Sequence, residues 1–170
     1  MATVLTVTYS SNTAITFDVS SVAQSPSFIA GRQSAEVDNT TNQYVDALVN
    51  CDGITWSSTS NTVGQEARLY VLGQDTSFAS QNLSVFNGAD GAVSSTTATF
   101  LQTFRLAAAV SAVVTTGSLV YGFQPFSVAS LFGGIMPKYW QLYLTHSMTG
   151  SIHTGQSGLF SYNGIKYTMT

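Results

Sequence analysis

The sequence predicts an all-β protein, a two-sheet antiparallel sandwich of jelly-roll type with at most a short helical turn. Only 8% of its 170 residues are charged, whereas an ordinary globular domain has about 25%. The polar surface comes instead from 22 threonines and 23 serines. β-branched and aromatic residues suit a pleated surface. Apolar and polar residues also alternate in many short tracts separated by turn residues, which is typical of sandwiches and barrels.

Four tracts show the alternation most clearly, and we expect one face of each to enter the core. Their apolar sets are Leu5, Val7 and Tyr9; Ile15, Phe17 and Val19; Val45, Ala47, Val49 and Cys51; and Trp140, Leu142 and Leu144. With the turn signals, the pattern predicts strands at about 3–9, 14–20, 28–37, 43–56, 66–72, 82–86, 98–109, 118–124, 139–146 and 158–169.

Two segments are less regular. The alanines of 98–114 would also allow a helix, but the share of β-branched residues rises toward its end and favours a strand. Ser127 is a suitable N-cap for a single helical turn at 127–132. A length of 170 residues fits one domain, so we expect a single β-sandwich over 1–170, with 1–13 as an extended arm or edge strand.

Charge and cysteine content exclude several classes of function. The net charge is −3 and the five cations are scattered, so direct nucleic-acid binding is not expected. Cys51 is the only cysteine, which rules out an intramolecular disulfide and a cysteine zinc cage. The first residues lack a basic region and a long apolar core, so we expect no signal peptide and synthesis in the cytoplasm.

Segment 106–136 contains no charged residue and is long enough to span a bilayer. However, it is interrupted by the polar turn at 115–118 and by Gln124 and Pro125. We therefore expect two buried strands around a turn, followed by a loop, and no membrane contact.

The residues suited to catalysis do not form a recognisable motif. His146 and His153 lie seven positions apart across a glycine turn, a spacing that suits neither a strand nor a helix metal pair. A nucleophilic pair of Cys51 with a histidine is an alternative, but Cys51 falls on an apolar face, where a free cysteine is usually a small buried hydrophobe. We expect no enzyme, no catalytic residues and no cofactor.

Carboxylates gather in one polar region, at Glu36, Asp38, Asp46 and Asp52. A glycosidase would need two opposed carboxylates in a cleft. Asp38, with its neighbouring asparagines, would suit calcium, although the spacing lacks the usual calcium-loop signature. We favour a turn capped by Asp38 and Asn39, and expect no metal site. Tyr139, Tyr143, Tyr162 and Tyr167 would suit either a sugar-stacking face or a core and oligomer interface.

Several blocks follow one another along the chain: AGRQS (30–34), VDNTTN (37–42), YVDALV (44–49), PFSVAS (125–130), FGGIMP (132–137) with Trp140, and the aromatic strand at 158–167. Together, these blocks resemble a family of small structural proteins of tailed bacteriophages and prophages. The order and spacing of the blocks extend over most of the chain. The resemblance implies a jelly-roll fold and a cement or decoration role on the phage head, and it supplies no catalytic residues.

These observations lead us to expect a virion protein that binds the major capsid protein on the head surface and stabilises the assembled lattice. We expect a homodimer or homotrimer, with residues 1 to about 13 pairing with a neighbouring sheet by strand addition. The candidate interface residues are Arg32, Glu36, Asp38, Asp46, Tyr139 and Tyr143. The alternatives are a tail, neck or baseplate component and a carbohydrate-binding module.

Overall fold

The computed structural model describes residues 4–20, 22–56, 61–80, 85–94, 104–113 and 118–169. The strands in these ranges are β1 (Leu5–Tyr9), β2 (Thr13–Ala14), β3 (Ala30–Gln33), β4 (Val37–Asp38), β5 (Asp46–Cys51), β6 (Ile54–Trp56), β7 (Glu66–Gln74), β8 (Gly91–Ser94), β9 (Arg105–Ser111), β10 (Leu119–Tyr121), β11 (Phe126–Ser127), β12 (Tyr139–His146) and β13 (Phe160–Met169). The helical elements found there are α1 (Val128–Leu131) and a 3-10 turn at Phe78–Ser80.

Two antiparallel sheets pack as a sandwich, which confirms the predicted fold class. The first sheet has the order β1-β13-β5-β11, with β2 also paired to β13. The second has the order β8-β3-β12-β7-β9, with β4 also paired to β12. A small additional sheet joins β6 to β10 and was not predicted. The chain thus crosses repeatedly between sheets. The first and last of the described strands, β1 and β13, pair with each other.

The main core lies between the two sheets and contains both tryptophans. The first sheet contributes Ala47, Val49, Phe160 and Tyr162, and the second contributes Leu69, Val71, Trp140, Leu142 and Leu144. The predicted apolar faces of β5 and β12 therefore supply much of this core. Val45 is an exception: it precedes β5 and is exposed, and Cys51 at the other end is only half-buried.

Strand β12 is buried on both faces, although its alternation predicted only one. On the second face, Tyr143 packs in a separate aromatic cluster with Tyr70, Phe86 and Phe104. The polar residues of this face have partners: Gln141 donates to the Gln33 side chain at 3.2 Å, and Thr145 donates to the Ala30 carbonyl at 2.6 Å. A polar residue in an alternating strand therefore does not by itself show that its face is exposed to solvent.

Segment 14–20 is extended and buried on the predicted face, but most of it is not a sheet strand. Ile15, Phe17 and Val19 all enter the core. The Asp18 amide donates to the Asp90 carboxylate, and the Val19 amide donates to the Gln156 carbonyl. The prediction of a strand was wrong here because the main chain finds side-chain and loop partners instead of a ladder.

The remaining predictions differ in outcome. Residues 105–111 form the predicted strand, and Ser127 caps α1 by accepting from the Ser130 amide at 3.0 Å. Strands β8 and β11 were not predicted because they are short and lack a repeated alternation. The expected strand residues at 82–84 and 98–103 lie outside the described part of the chain. Within that part, no helix is long and apolar enough to cross a membrane.

Candidate interaction surface

The polar corner at 38–42 is held by its own side chains. Asp38 accepts from the Thr40 amide at 2.7 Å and from the Thr40 hydroxyl at 2.6 Å, and these bonds lower the pKa of Asp38. Asn39 spans the corner by donating to the Tyr44 carbonyl and accepting from the Tyr44 amide. The predicted turn capped by Asp38 and Asn39 is therefore present. No group of three or more metal-ligating side chains forms among the described residues.

Asp46 binds the start of α1. Its carboxylate accepts from the Ser127 hydroxyl at 2.6 Å and from the Ala129 amide at 2.8 Å. A carboxylate in this position satisfies amide donors that the first helical turn leaves open. The structure thus places this predicted interface residue in an internal connection between β5 and α1.

Arg32 and Glu36 also have partners within the chain. The Arg32 Nε lies 2.8 Å from an oxygen of Asp90, and both side chains are partly buried. Glu36 accepts from the Ser77 hydroxyl at 2.9 Å and from the Phe78 amide at 2.5 Å. These contacts fix the loops before β8 and after β7 onto β3 and its continuation. Sequence reasoning could not find Asp90, Ser77 or Phe78 because each lies more than 40 residues from its partner.

The two candidate tyrosines lie in different environments. Tyr143 is 1% exposed, and burial raises its pKa to about 12. The expectation that Tyr143 lies at an interface is therefore corrected, because its ring fills the second aromatic cluster. Tyr139 is half-buried at the start of β12 and packs against the edge of the same cluster. Because Tyr162 is also in the core, the four tyrosines do not form one sugar-stacking face.

His146 is buried in the sandwich, and Cys51 is half-buried at the end of β5. The His146 Nε2 lies 2.8 Å from the Val22 carbonyl, and its Nδ1 lies 3.2 Å from the Met148 carbonyl. Burial lowers the pKa of His146, against the opposing effect of these two carbonyls. Burial raises the pKa of the Cys51 thiol, which disfavours the thiolate that a nucleophile would need.

The most unusual surface is a two-stranded ribbon formed by β1 and the end of β13. Every residue of β1 is exposed, although its apolar face was expected to enter the core. Leu5 is 62% exposed, Tyr9 63%, Tyr167 57% and Met169 75%. Large apolar side chains exposed together in this way are typical of interaction surfaces, whereas single ones are not informative.

The ribbon has one apolar and one polar face. The cross-strand pairs Leu5–Met169, Val7–Tyr167 and Tyr9–Ile165 lie on one side. The other side carries the pairs Thr6–Thr168 and Thr8–Lys166. Since directly opposed residues of an antiparallel pair point to the same face, six apolar side chains form a continuous strip. We call the ribbon's two sides its apolar face and its hydroxyl face.

Strand β1 also has an open edge. Its one sheet neighbour among the described strands is β13, and residues 4–13 contain no charge and no proline. Natural edge strands are usually protected by such residues or by bulges. The charged residue on the neighbouring strand is Lys166. It points to the hydroxyl face, and its ammonium lies 5.1 Å from the Tyr44 ring centre. The ribbon therefore presents both an apolar face and an unprotected edge.

The sequence carries a signal for this surface in the alternating apolar residues of both strands. Ile165, Tyr167 and Met169 alternate with polar residues as Leu5, Val7 and Tyr9 do, but the pattern of one strand does not show whether another layer covers its apolar face.

Comparison of the chain with protein-family models and with curated proteins finds no match.

Proposed function

We propose that this protein is a structural component of a tailed-phage virion, and that it binds the outer surface of the assembled head and stabilises the capsid lattice. The exposed apolar face of the β1–β13 ribbon carries this proposal, because an isolated sandwich gains nothing from leaving five large apolar side chains exposed and a sixth, Ile165, half-exposed. The resemblance of the sequence blocks to phage structural proteins supports the same role. The low charge content suits a protein whose surface is covered in an assembly.

In this role, the apolar face of the ribbon is the docking surface for the major capsid protein. Tyr9 and Tyr167 are each more than half exposed, so each has roughly 100 Å² left to bury. At about 25 cal/mol per Å², that area gives roughly 2.5 kcal/mol for each ring before the cost of association. Since the partner surface exists only in the assembled shell, binding shifts the equilibrium toward the shell by mass action.

The internal partners of the candidate polar residues limit the choice of docking surface. Arg32, Glu36 and Asp46 already bind groups within the chain. Using them at an interface would require replacing those bonds, whereas the ribbon can be covered without breaking any. The position of the protein on the virion separates the head role from that of a tail, neck or baseplate component.

Cryo-microscopy of the virion that carries this protein gives that location. We expect density for the sandwich at many symmetry-related positions over the head shell, with the ribbon against the capsid subunits. Density confined to the tail, neck or baseplate would replace the head role with the alternative. Absence of the protein from purified virions, checked by mass spectrometry, would contradict both the head role and the alternative.

A further inference from the structure

We infer that the open edge of β1 binds the same edge of a second copy of this chain, joining two sandwiches through one continuous antiparallel sheet. Independently of the virion role, this inference assigns a partner to the main-chain edge, which is distinct from the apolar face proposed for docking. It rests on the direction of the main-chain groups of β1, on the symmetry of its sequence and on its lack of charge.

The main-chain groups at the open edge belong to the apolar residues of β1. The Ser10 amide donates to the Gly164 carbonyl at 2.8 Å, so that pair is a hydrogen-bonded one. Because such pairs alternate with non-hydrogen-bonded ones along antiparallel strands, the even-numbered residues of β1 point their amides and carbonyls toward β13. Leu5, Val7 and Tyr9 therefore point theirs outward.

The sequence of β1 is self-complementary about Val7. An antiparallel pairing of two copies with Val7 opposite Val7 places each Leu5 opposite the other copy's Tyr9 and each Thr6 opposite its Thr8. All three outward-pointing residues of each strand then exchange hydrogen bonds, and a shift in either direction loses some of them. Apolar residues face apolar ones and threonines face threonines, which are favourable cross-strand pairs.

A second copy fits this edge better than a charged partner. An isologous contact requires each residue to tolerate its own copy nearby, and the uncharged tract 4–13 meets that requirement. Lys166, one strand away on the hydroxyl face, is held near Tyr44. The pairing also doubles the apolar face, since both copies present Leu5, Val7 and Tyr9 on the same side of the joined sheet.

A short edge contact of this kind buries less than the roughly 800 Å² per partner of a standard interface. The dimer should therefore be measured at tens of micromolar or above, by sedimentation velocity of the purified full chain. We expect wild type to be dimeric and both Val7→Lys and Val7→Glu to be monomeric, because each variant brings two like charges together at the two-fold axis. An equimolar mixture of the two variants should restore the dimer.

Two further variants test the geometry. Val120→Lys, at a comparably exposed valine on β10, should remain dimeric. Tyr167→Lys, on the apolar face but one strand from the edge, should also remain dimeric, whereas a dimer formed by stacking two apolar faces would dissociate. A monomeric wild type, a dimeric Val7→Lys, or a mixture that stays monomeric would overturn the inference. Recovery of the dimer on mixing also shows that both Val7 variants are folded.

Discussion

Asp46 satisfies several hydrogen-bond donors at the start of α1 and β5. Its two oxygens accept from the Ser127 hydroxyl and from the amides of Ala47 and Ala129. The sequence makes Asp46 a candidate site residue because charged residues are rare in the chain. A rare charged residue can equally serve an internal role. In this sandwich, Asp46 serves as an internal acceptor for main-chain donors.

We expect Asp46→Ala to lower the free energy of unfolding by about 1–3 kcal/mol, because it leaves the partly buried Ala129 amide without its acceptor. Chemical denaturation measures this loss. Asp52→Ala, at an exposed carboxylate of the next loop, is the matched control and should change stability little. Equal effects of the two substitutions would refute the capping role of Asp46.

His146 is a residue-scale source of pH dependence. Its ring is buried, with Trp56 packed edge-on at 4.6 Å between ring centres. Burial lowers its pKa in the folded protein below the ordinary value of 6.5. Below that pH, the unfolded chain takes up a proton that the folded chain binds less readily. Acidification therefore favours unfolding, and the contribution of neutral His146 is fully present only above the unfolded pKa.

We expect the melting temperature of wild type to fall more steeply than that of His146→Gln as the pH is lowered from about 7.5 to about 5.5, the range in which an ordinary histidine titrates. The comparison uses the slope with pH, so a general loss of stability in the variant does not affect it. His153→Gln, at an exposed histidine, should keep the wild-type slope. Parallel slopes for wild type and His146→Gln would contradict the assignment.

At the scale of elements, β13 is the strand that connects the core to the ribbon. Its first half alternates buried and half-buried residues and pairs with β5, and its last residues are exposed and pair with β1. The change occurs near Gly164, over which the Tyr44 ring lies. A Cβ at Gly164 would stand 2.4 Å from that ring, so this glycine lets Tyr44 cover the strand where the core ends.

Gly164→Ala should destabilise the protein by about 1–3 kcal/mol, because the added methyl displaces the Tyr44 ring from β13. Gly91→Ala in β8 is the control, since a Cβ there meets no described atom within 4 Å. Thermal and chemical denaturation of both variants measure the difference. A Gly164→Ala variant as stable as Gly91→Ala would show that the packing of Tyr44 is readily rearranged.

Individual strands also show what alternation can predict. The pattern correctly identified the apolar faces of β5 and β12, because a core-facing strand needs apolar residues at every second position. It could not show that Gln141 and Thr145 on the other face of β12 are buried, since their partners Gln33 and Ala30 lie more than 100 residues away. For β1, it identified the apolar face but placed it in the core, where the structure leaves it exposed.

At the scale of the whole molecule, the sandwich follows from composition, but its interaction surface does not. Threonine-rich, charge-poor tracts favour packed sheets wherever they occur. The apolar face of the ribbon is exposed because Ile165, Tyr167 and Met169 alternate with the core-facing residues of β13 and so lie on the outer side of the first sheet. Arg32, Glu36 and Asp46 were candidates for ion pairs within or between subunits, and each of them binds a group within the chain.

The central claim is that the apolar face of the ribbon docks this protein onto the assembled head. Co-sedimentation with capsid shells that lack the protein tests it, using a Tyr167→Ser/Met169→Ser variant and a Val63→Ser/Val120→Ser control at exposed apolar residues elsewhere. We predict that the first variant binds at least about tenfold more weakly than wild type, since large buried side chains dominate such interfaces, and that the control binds as wild type does. Equal binding by wild type and both variants would contradict the claim.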